Sequence, residues 1–284
     1  MYKRPILRYH GGKWRLAKWI IGFIPEHKIY VEPFGGAASV LLQKPRSYME
    51  IYNDLDRSVV NVFRVMQNPE SASQLKRLLE FTPFAHEEFL LGYEETDNLI
   101  ERARRTIIRS FMGWSTDSAT RDKKTGFRSD FRLFGRNASI DFLNYTDAIG
   151  FFVERLRGVI IENEPALDLI DKTDSTKTLF YVDPPYMYHT RQAKCKGAYR
   201  HEMANEQHGE LLKILTRLKG NVILSGYESE LYNDILVGWE KHKIISKGQG
   251  QNGNKFHTEV LWLSFRARQL NLLEASDENI ISNN

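Results

Sequence analysis

Tyr30-Val-Glu-Pro-Phe-Gly-Gly-Ala-Ala-Ser39 joins a short apolar run to a helical pattern through two adjacent glycines. Residues 29–32 predict a buried strand, residues 37–43 a helix, and residues 48–52 a second strand that ends in Asn53-Asp54. This order is typical of a βαβ unit in a parallel sheet. The glycines allow a ligand to approach the backbone where open α/β sheets bind nucleosides. Glycine also serves packing in such turns, and the motif alone does not separate the two roles.

Strand signals recur in the second half of the chain, whereas residues 56–152 carry mainly charged helical patterns. The later strands are predicted at 159–162, 178–182, 221–225 and 260–265. We therefore predict an α/β fold built from one discontinuous domain and one inserted, mostly helical domain. The discontinuous domain comprises residues 1–57 and 156–270, the insert comprises residues 58–155, and a polar tail follows over 271–284.

The composition of the 284 residues, 42% hydrophobic and 27% charged, is that of a folded globular protein. The single cysteine, Cys195, excludes an internal disulfide, and the histidines show no metal-ligand spacing. The first residues lack a signal-peptide pattern, so we expect a cytoplasmic protein. The apolar run over 19–24 is far shorter than the roughly 18 residues of a membrane span. We therefore expect no bound metal and no membrane segment.

The positive charge is concentrated in residues 101–136, where ten lysines and arginines face four acidic residues. Aromatic residues are interleaved with these charges, a pattern that favours a phosphate-contacting surface with stacking groups. A solvated helix face followed by a charged loop explains the same pattern. If the segment binds DNA, Lys123 and Lys124 are the candidate phosphate contacts. Arg128 and Arg132 are the candidate base readers, because they carry planar forks beside aromatic residues in a predicted hairpin.

Asp183-Pro184-Pro185-Tyr186 follows the predicted strand over 178–182 and is the strongest chemical motif of the chain. Two prolines remove two backbone donors and fix two φ angles, while their carbonyls remain acceptors. Asp183 adds another acceptor, and Tyr186 adds a flat face for a planar base. The motif therefore suits a substrate that carries an amine.

Asp54 lies at the end of the second predicted strand, some 20 residues after the glycine turn. An acidic residue at this distance accepts hydrogen bonds from ribose hydroxyls in dinucleotide folds. An aspartate that ends a strand is also a common turn former. Both roles stay open for Asp54 on the sequence alone.

Four motifs, in their order along the chain, resemble those of the Dam-like DNA adenine-N6 methyltransferases, the D12 class with an inserted target-recognition domain. They are Arg8-Tyr-His-Gly-Gly-Lys13, Val31-Glu-Pro-Phe-Gly-Gly36, Asn53-Asp54 and Asp183-Pro-Pro-Tyr186. The resemblance extends to Val222-Ile-Leu-Ser-Gly-Tyr227 and Thr258-Glu-Val-Leu-Trp-Leu263. It implies a Rossmann-like catalytic fold, S-adenosylmethionine as the cofactor and double-stranded DNA as the partner.

The resemblance also implies the residues of the cofactor site. These are Tyr9, Lys13, Glu32, Phe34, Gly35, Gly36, Asp54 and Asp183. The chain reads Asn163-Glu164-Pro165 where the family often has Asn-x-Asp, so Glu164 is the nearest substitute for that acidic contact. Residues 126–129 only loosely match the recognition hairpin of the enzymes that act on GATC, so that specificity is not carried over.

In the implied mechanism, Asp183 and the Pro184 carbonyl accept the two N6 hydrogens of adenine, which frees the nitrogen lone pair for the methyl group. The base must leave the duplex to reach the cofactor, and Tyr186 stacks on it. Cytosine-N4 methylation needs the same exocyclic-amine chemistry and is the nearest alternative. A catalytically silent DNA-binding protein on this fold is the alternative from another class. The sequence is compatible with a monomer and leaves the oligomeric state open.

Overall fold

A seven-stranded sheet forms the centre of the protein in the computed structural model, which describes residues 4–121, 124–129, 137–190, 199–250 and 253–266. The strands follow the spatial order β3-β2-β1-β4-β5-β7-β6. Their bounds are β1 Ile29–Glu32, β2 Met49–Asn53, β3 Val159–Glu162, β4 Thr178–Val182, β5 Asn221–Gly226, β6 Glu240–Gly250 and β7 Gly253–Leu263.

Ten α-helices are present in the described residues. They are α1 Ala17–Ile21, α2 Arg57–Gln67, α3 Pro69–Glu80, α4 His86–Leu91, α5 Leu99–Met112, α6 Ala138–Leu143, α7 Ile149–Leu156, α8 Ala166–Thr173, α9 Asn205–Leu215 and α10 Glu230–Ile235, with 3-10 turns at Thr146–Ala148 and Tyr188–Thr190. None of the described helices is long and apolar enough to cross a membrane.

Strands β1 to β5 are parallel, and β7 runs antiparallel between β5 and β6. Strand β1 pairs with β2 on one side and with β4 on the other, so the strand order reverses beside β1. In open α/β sheets ligands bind outside the carboxyl ends of the strands at such a switch point. The predicted α/β fold with its Rossmann-like sheet is therefore confirmed, and the first two predicted strands are parallel neighbours.

The predicted helix over 37–43 is wrong, because this segment forms a series of turns. Gly36 and Ala38 have φ angles of +48° and +50°, which interrupt a right-handed helix before it can propagate. The buried Glu32 carboxylate accepts a hydrogen bond from the Leu41 backbone N–H at 2.7 Å. The segment therefore satisfies its backbone partly through the end of β1 rather than through helical bonds.

The two faces of the sheet pack against different helices. One core runs from Tyr30, Tyr52 and Leu179 into α2, α5 and α7, and includes Phe63 and Phe152. The other core lies under α8, α9 and α10. The predicted insert thus shares a continuous hydrophobic core with the sheet.

A buried ion network attaches α7 to β2. The Glu50 carboxylate binds Lys44 at 2.6 Å and receives two hydrogen bonds from Arg155, at 2.6 and 2.9 Å. Although burial opposes it, the hydrogen bonds from Arg155 and Lys44 hold the pKa of Glu50 below its ordinary value. Because all three charged groups are paired, the network fixes the relative position of these elements without leaving an isolated buried charge.

Candidate active site

A cavity opens at the carboxyl ends of β1, β2 and β4. Eight of the predicted cofactor residues line it together, namely Tyr9, Lys13, Glu32, Phe34, Gly35, Gly36, Asp54 and Asp183. Pro185 of the proline motif also lines it. The parallel sheet brings these residues together because the ends of neighbouring parallel strands meet at one edge.

The glycine turn after β1 lies against β2 without space for a side chain. The Gly35 N–H donates to the Asn53 carbonyl at 2.7 Å. A Cβ at Gly35 would lie 2.2 Å from a ring carbon of Tyr52, and one at Gly36 would lie 2.8 Å from the Tyr9 ring. Tyr52 cannot yield, because it is fully buried, stacks on Phe63 at 4.1 Å and donates to the Gly36 carbonyl at 2.7 Å. Packing therefore requires glycine at position 35, and the φ angle of +48° together with the nearby Tyr9 ring favours glycine at position 36.

Asp54 holds the same turn from the end of β2. Its carboxylate accepts the Gly36 N–H at 2.9 Å and the Asp56 N–H at 2.7 Å. Burial raises the pKa of Asp54 to about 6, although these two hydrogen bonds oppose the rise. Asp54 is thus a turn former that also borders the cavity, and its contact with ribose hydroxyls stays a prediction.

Glu32 ends β1 as a buried carboxylate. Its Oε1 atom accepts from the Tyr30 hydroxyl at 2.6 Å and from the Leu41 N–H at 2.7 Å. Burial raises the pKa of Glu32 to about 7 despite these hydrogen bonds. Glu32 therefore anchors the turn segment while it forms part of the cavity wall.

The buried Lys13 and the half-buried Asp183 form an ion pair in the cavity wall. The Lys13 ammonium lies 2.9 Å from both carboxylate oxygens of Asp183 and 2.7 Å from the Gly11 carbonyl. Burial raises the pKa of Asp183 to about 6, while Lys13 opposes this rise. Although burial favours the neutral amine, Asp183 holds the pKa of Lys13 above its ordinary value. At neutral pH Asp183 is therefore a fixed carboxylate acceptor.

Tyr186 lies under this ion pair, with 8% of its surface exposed. The Lys13 ammonium is 4.8 Å from the centre of the Tyr186 ring. The Tyr186 hydroxyl donates to Glu259 at 2.7 Å, and the Tyr227 ring contacts the Tyr186 ring edge-on at 4.6 Å between centroids. The ring is thus held on several sides, next to the predicted acceptor Asp183.

The structure does not bring Glu164 into the cavity wall. Its carboxylate pairs with Lys172 of α8, and its backbone N–H and carbonyl bind the Asn53 side chain at 3.0 Å each. Asn163 donates to the Asp54 carbonyl at 2.7 Å. This segment therefore supports the end of β2 through its backbone and Asn163, while the Glu164 side chain faces α8.

Sequence reasoning missed a group of residues at the cavity mouth. The Arg200 guanidinium pairs with Asp56 at 2.8 Å, and the Tyr199 ring meets the His10 ring edge-on at 5.3 Å. Asp56 also caps α2 by accepting the Ser58 N–H at 2.9 Å. No motif marks Tyr199 or Arg200, because both lie in an irregular segment and only long-range contacts place them here.

The basic segment over 101–136 is largely paired within the protein where the structure describes it. Arg104 binds Glu101 and Glu88 at 2.7 and 2.8 Å, and Arg105 binds Glu101 at 2.8 Å. Phe111 is buried, and Phe127 packs among other rings, so neither presents a free face for stacking. The local charge excess therefore overstates the positive surface.

Two of the four predicted DNA contacts can be placed. Lys124 is exposed, whereas the Arg128 backbone N–H donates to the Met112 carbonyl at 2.7 Å and its side chain is half-buried. Burial and the nearby Arg128 charge lower the pKa of Arg8 to about 10. Lys123 and Arg132 lie outside the described residues. Trp114, 45% exposed, is an aromatic ring on this surface that remains accessible.

We expect Gly35→Ala to destabilise the protein strongly, because its methyl group would overlap the Tyr52 ring and approach the Asn53 carbonyl. Overpacking of this kind costs roughly 1–3 kcal/mol or more. The matched control is Gly150→Ala in α7, where an added Cβ meets nothing within 4 Å and should be neutral or stabilising. Urea unfolding of both variants measures the difference. Equal stability of the two variants would contradict the close approach.

Comparison with known proteins identifies the family. Residues 9–250 match the model of the D12 class N6 adenine-specific DNA methyltransferases. The chain is 25% identical over 255 residues to a DNA adenine methylase of Serratia marcescens, covering 85% of this chain and 88% of that protein. It is 22% identical over 258 residues to a DNA adenine methylase of Escherichia coli, covering 88% and 90%.

Two solved structures show remote similarity to this chain. A precorrin 8W decarboxylase of Methanobacterium thermoautotrophicum superposes with a TM-score of 0.33 at 10% identity, covering 89% of this chain and 90% of that one. An rRNA methylase of Streptococcus thermophilus superposes with a TM-score of 0.32 at 11% identity, covering 93% and 97%. The assignment therefore depends on the family model, which includes both the glycine turn and the Asp183-Pro184-Pro185-Tyr186 motif, and on that evidence this chain belongs to the D12 class of N6 adenine-specific DNA methyltransferases.

Proposed function

We propose that this adenine-specific DNA methyltransferase takes its methyl group from S-adenosylmethionine and acts on an adenine flipped out of double-stranded DNA. The observation that carries the proposal is the Lys13–Asp183 ion pair, which fixes a carboxylate acceptor beside the cavity at the carboxyl ends of β1, β2 and β4. Family membership supports the adenine N6 target over the cytosine-N4 alternative. The preorganised Asp183 argues against a catalytically silent protein.

The residues of the cavity fit S-adenosylmethionine. A carboxylate has about four acceptor positions, so Asp54 retains capacity for ribose hydroxyls after binding two backbone N–H groups. Phe34 offers an apolar wall, and the acidic wall residues Glu32, Asp54 and Asp183 complement a cationic ligand. When bound, S-adenosylmethionine supplies an electrophilic methyl group on a sulfonium. Because Glu164 faces α8, we do not include it in this site.

Asp183 and the Pro184 carbonyl are the proposed acceptors of the two N6 hydrogens. An adenine amine is a poor nucleophile because its lone pair is delocalised into the ring. Hydrogen bonds to two fixed acceptors favour a pyramidal nitrogen whose lone pair points at the methyl group. Pro184 and Pro185 restrict the backbone here, so the acceptor geometry is set before the base arrives.

Tyr186 is the proposed stacking partner of the flipped base. Extrusion of a base costs a few kcal/mol, and aromatic stacking returns about 1–3 kcal/mol per base. The Tyr186 ring is already held beside Lys13, so little conformational freedom is lost when it engages the base.

Residues 58–155 are the proposed target-recognition segment, which lies in sequence between the two halves of the proposed catalytic domain, 1–57 and 156–270. The accessible part of its basic region is narrower than the charge count indicates, since the α5 arginines Arg104 and Arg105 are paired. We propose Lys123 and Lys124 as phosphate contacts and Arg128 and Arg132 as base readers.

We expect Asp183→Asn to lower the methyl-transfer rate by roughly 10²–10³-fold, the cost of removing one preorganised electrostatic interaction. Transfer of labelled methyl groups to unmethylated DNA measures the rate, and circular dichroism checks folding. Near-normal turnover by a folded variant would remove Asp183 from the reaction.

We also expect the rate of the wild-type protein to fall as the pH drops through about 6, because a protonated Asp183 no longer accepts both its bond from Lys13 and one from the amine.

We expect Asp54→Ala to weaken S-adenosylmethionine binding at least tenfold while leaving DNA affinity unchanged, because Asp54 borders the proposed ribose site. Calorimetry measures the cofactor affinity. The control is Asp174→Ala, which likewise removes hydrogen bonds to two backbone N–H groups, those of Lys219 and Gly220, away from the cavity. Equal cofactor affinities of the two variants would exclude Asp54 from the site.

We expect Lys123→Gln/Lys124→Gln to weaken duplex binding and to reduce the log-log salt slope by roughly 0.9 for each phosphate that the protein no longer neutralises. Arg128→Gln/Arg132→Gln should instead relax sequence preference. The free energy that discriminates the correct base from a wrong one should fall by about 1–3 kcal/mol for each bidentate contact that the substitution removes. Duplex titrations at several salt concentrations measure both effects, with Lys213→Gln on α9 as the control lysine. Unchanged affinity and slope in the Lys123/Lys124 variant would place the phosphate-binding groups elsewhere.

A further inference from the structure

Glu259 lies at the catalytic edge of the sheet because its strand is antiparallel. Val260 pairs with Gly226, the last residue of β5, so Glu259 lies one residue beyond the carboxyl end of the parallel strands. The Thr258-Glu-Val-Leu-Trp-Leu263 motif contains this residue, and the proposed reaction gives this acidic side chain no role. The reversed direction of β7 is what carries its early residues to the site.

The Glu259 side chain is buried and binds one member of the proline motif. It is 8% exposed, as is Tyr186, and its Oε2 atom accepts the Tyr186 hydroxyl at 2.7 Å. The Ser225 hydroxyl is a more distant neighbour of the same phenol, at 3.4 Å. A hydrogen bond to a buried carboxylate is stronger than one between neutral groups, so the contact with Glu259 holds the phenol more firmly than the contact with Ser225 does.

The same carboxylate also belongs to the electrostatic surroundings of Lys13 and Asp183. Its negative charge raises the pKa of both groups. A buried carboxylate without a partner is strongly unfavourable, and Glu259 is offset by the Tyr186 hydroxyl and by the ammonium of Lys13. The Tyr186 ring lies between these groups, since Lys13 is 4.8 Å from its centre and Glu259 binds its hydroxyl.

We propose that Glu259 is a positioning residue for methyl transfer, which holds the Tyr186 hydroxyl so that the ring stays aligned beside Lys13 and Asp183. This inference rests on the proposed function of Tyr186 as the partner of the flipped base. Glu259 acts through Tyr186 and touches neither cofactor nor base. Its removal leaves the acceptors of the amine in place but allows the ring to leave the orientation that receives the adenine.

The test combines three single substitutions and one double variant. Glu259→Met keeps the length of the side chain but removes the oxygen acceptor, Glu259→Gln keeps an acceptor without the charge, and Tyr186→Phe keeps the ring without the hydroxyl. We expect Glu259→Met and Tyr186→Phe each to lower kcat roughly 10- to 100-fold, the equivalent of one charged hydrogen bond. Glu259→Gln should stay within roughly fivefold of the wild-type kcat.

The decisive measurement is the combination of Glu259→Met with Tyr186→Phe. If Glu259 acts through the hydroxyl, the double variant should resemble Tyr186→Phe within about threefold, because the hydrogen bond is already absent. Calorimetric affinity for S-adenosylmethionine should change less than about threefold in every variant. Tyr145→Phe is the stability control, since it removes an equally buried hydroxyl bond, 2.8 Å to the Ile6 carbonyl, outside the site.

Several results would overturn the proposal. They are multiplicative losses in the double variant, a Glu259→Gln loss as large as that of Glu259→Met, or a wild-type kcat in Tyr186→Phe. The Tyr186→Phe result alone decides the question if Glu259→Met does not fold. A wild-type protein without methyl transfer to unmethylated DNA would instead refute the proposed function, so the two failures are distinguishable.

Discussion

The ion pair between Lys13 and Asp183 is the interaction on which the site depends. It joins the N-terminal loop to the end of β4 across 170 residues of sequence, with both carboxylate oxygens at 2.9 Å from the ammonium. Burial raises the pKa of Asp183, and without Lys13 the carboxylate would lose its cationic partner, which favours protonation and removes it as a charged acceptor. The pair therefore helps to keep the group proposed to accept the amine in its ionised form.

The glycine turn makes a second constraint that is compatible with the first. Gly35 lies against Tyr52 and Asn53 so closely that no side chain fits, and the Asp54 carboxylate fixes the turn by accepting the Gly36 N–H. The backbone that follows β1 thereby lines the cavity at Gly35 and Gly36. The structural role and the proposed binding role coincide here, since the groups that close the turn also form the cavity wall.

Three acidic groups of the cavity wall are buried or half-buried. Burial raises the pKa of Glu32 to about 7 and those of Asp54 and Asp183 to about 6. Carboxylates under such desolvation are stabilised in their charged form by a nearby cation. The cationic sulfonium of the proposed S-adenosylmethionine meets this requirement, whereas an anionic phosphate does not.

The sequence by itself determined where strands β1, β2, β3, β4 and β5 lie along the chain and that the proline motif follows β4. These features depend on local apolar runs and backbone restrictions. The resemblance of its motifs also identified eight residues that share the cavity, although it included Glu164 and missed Tyr199 and Arg200. Side-chain partners were decided by tertiary structure: Arg104 pairs with Glu88, Glu164 turns to Lys172, and Glu259 reaches Tyr186. Strand β6 was missed because its charged sequence has little strand propensity and gains its hydrogen bonds only from pairing with β7. The segment over 37–43 does not form the predicted helix, because the hydrogen bond from the Leu41 N–H to Glu32 and two positive φ angles outweigh its local helical preference.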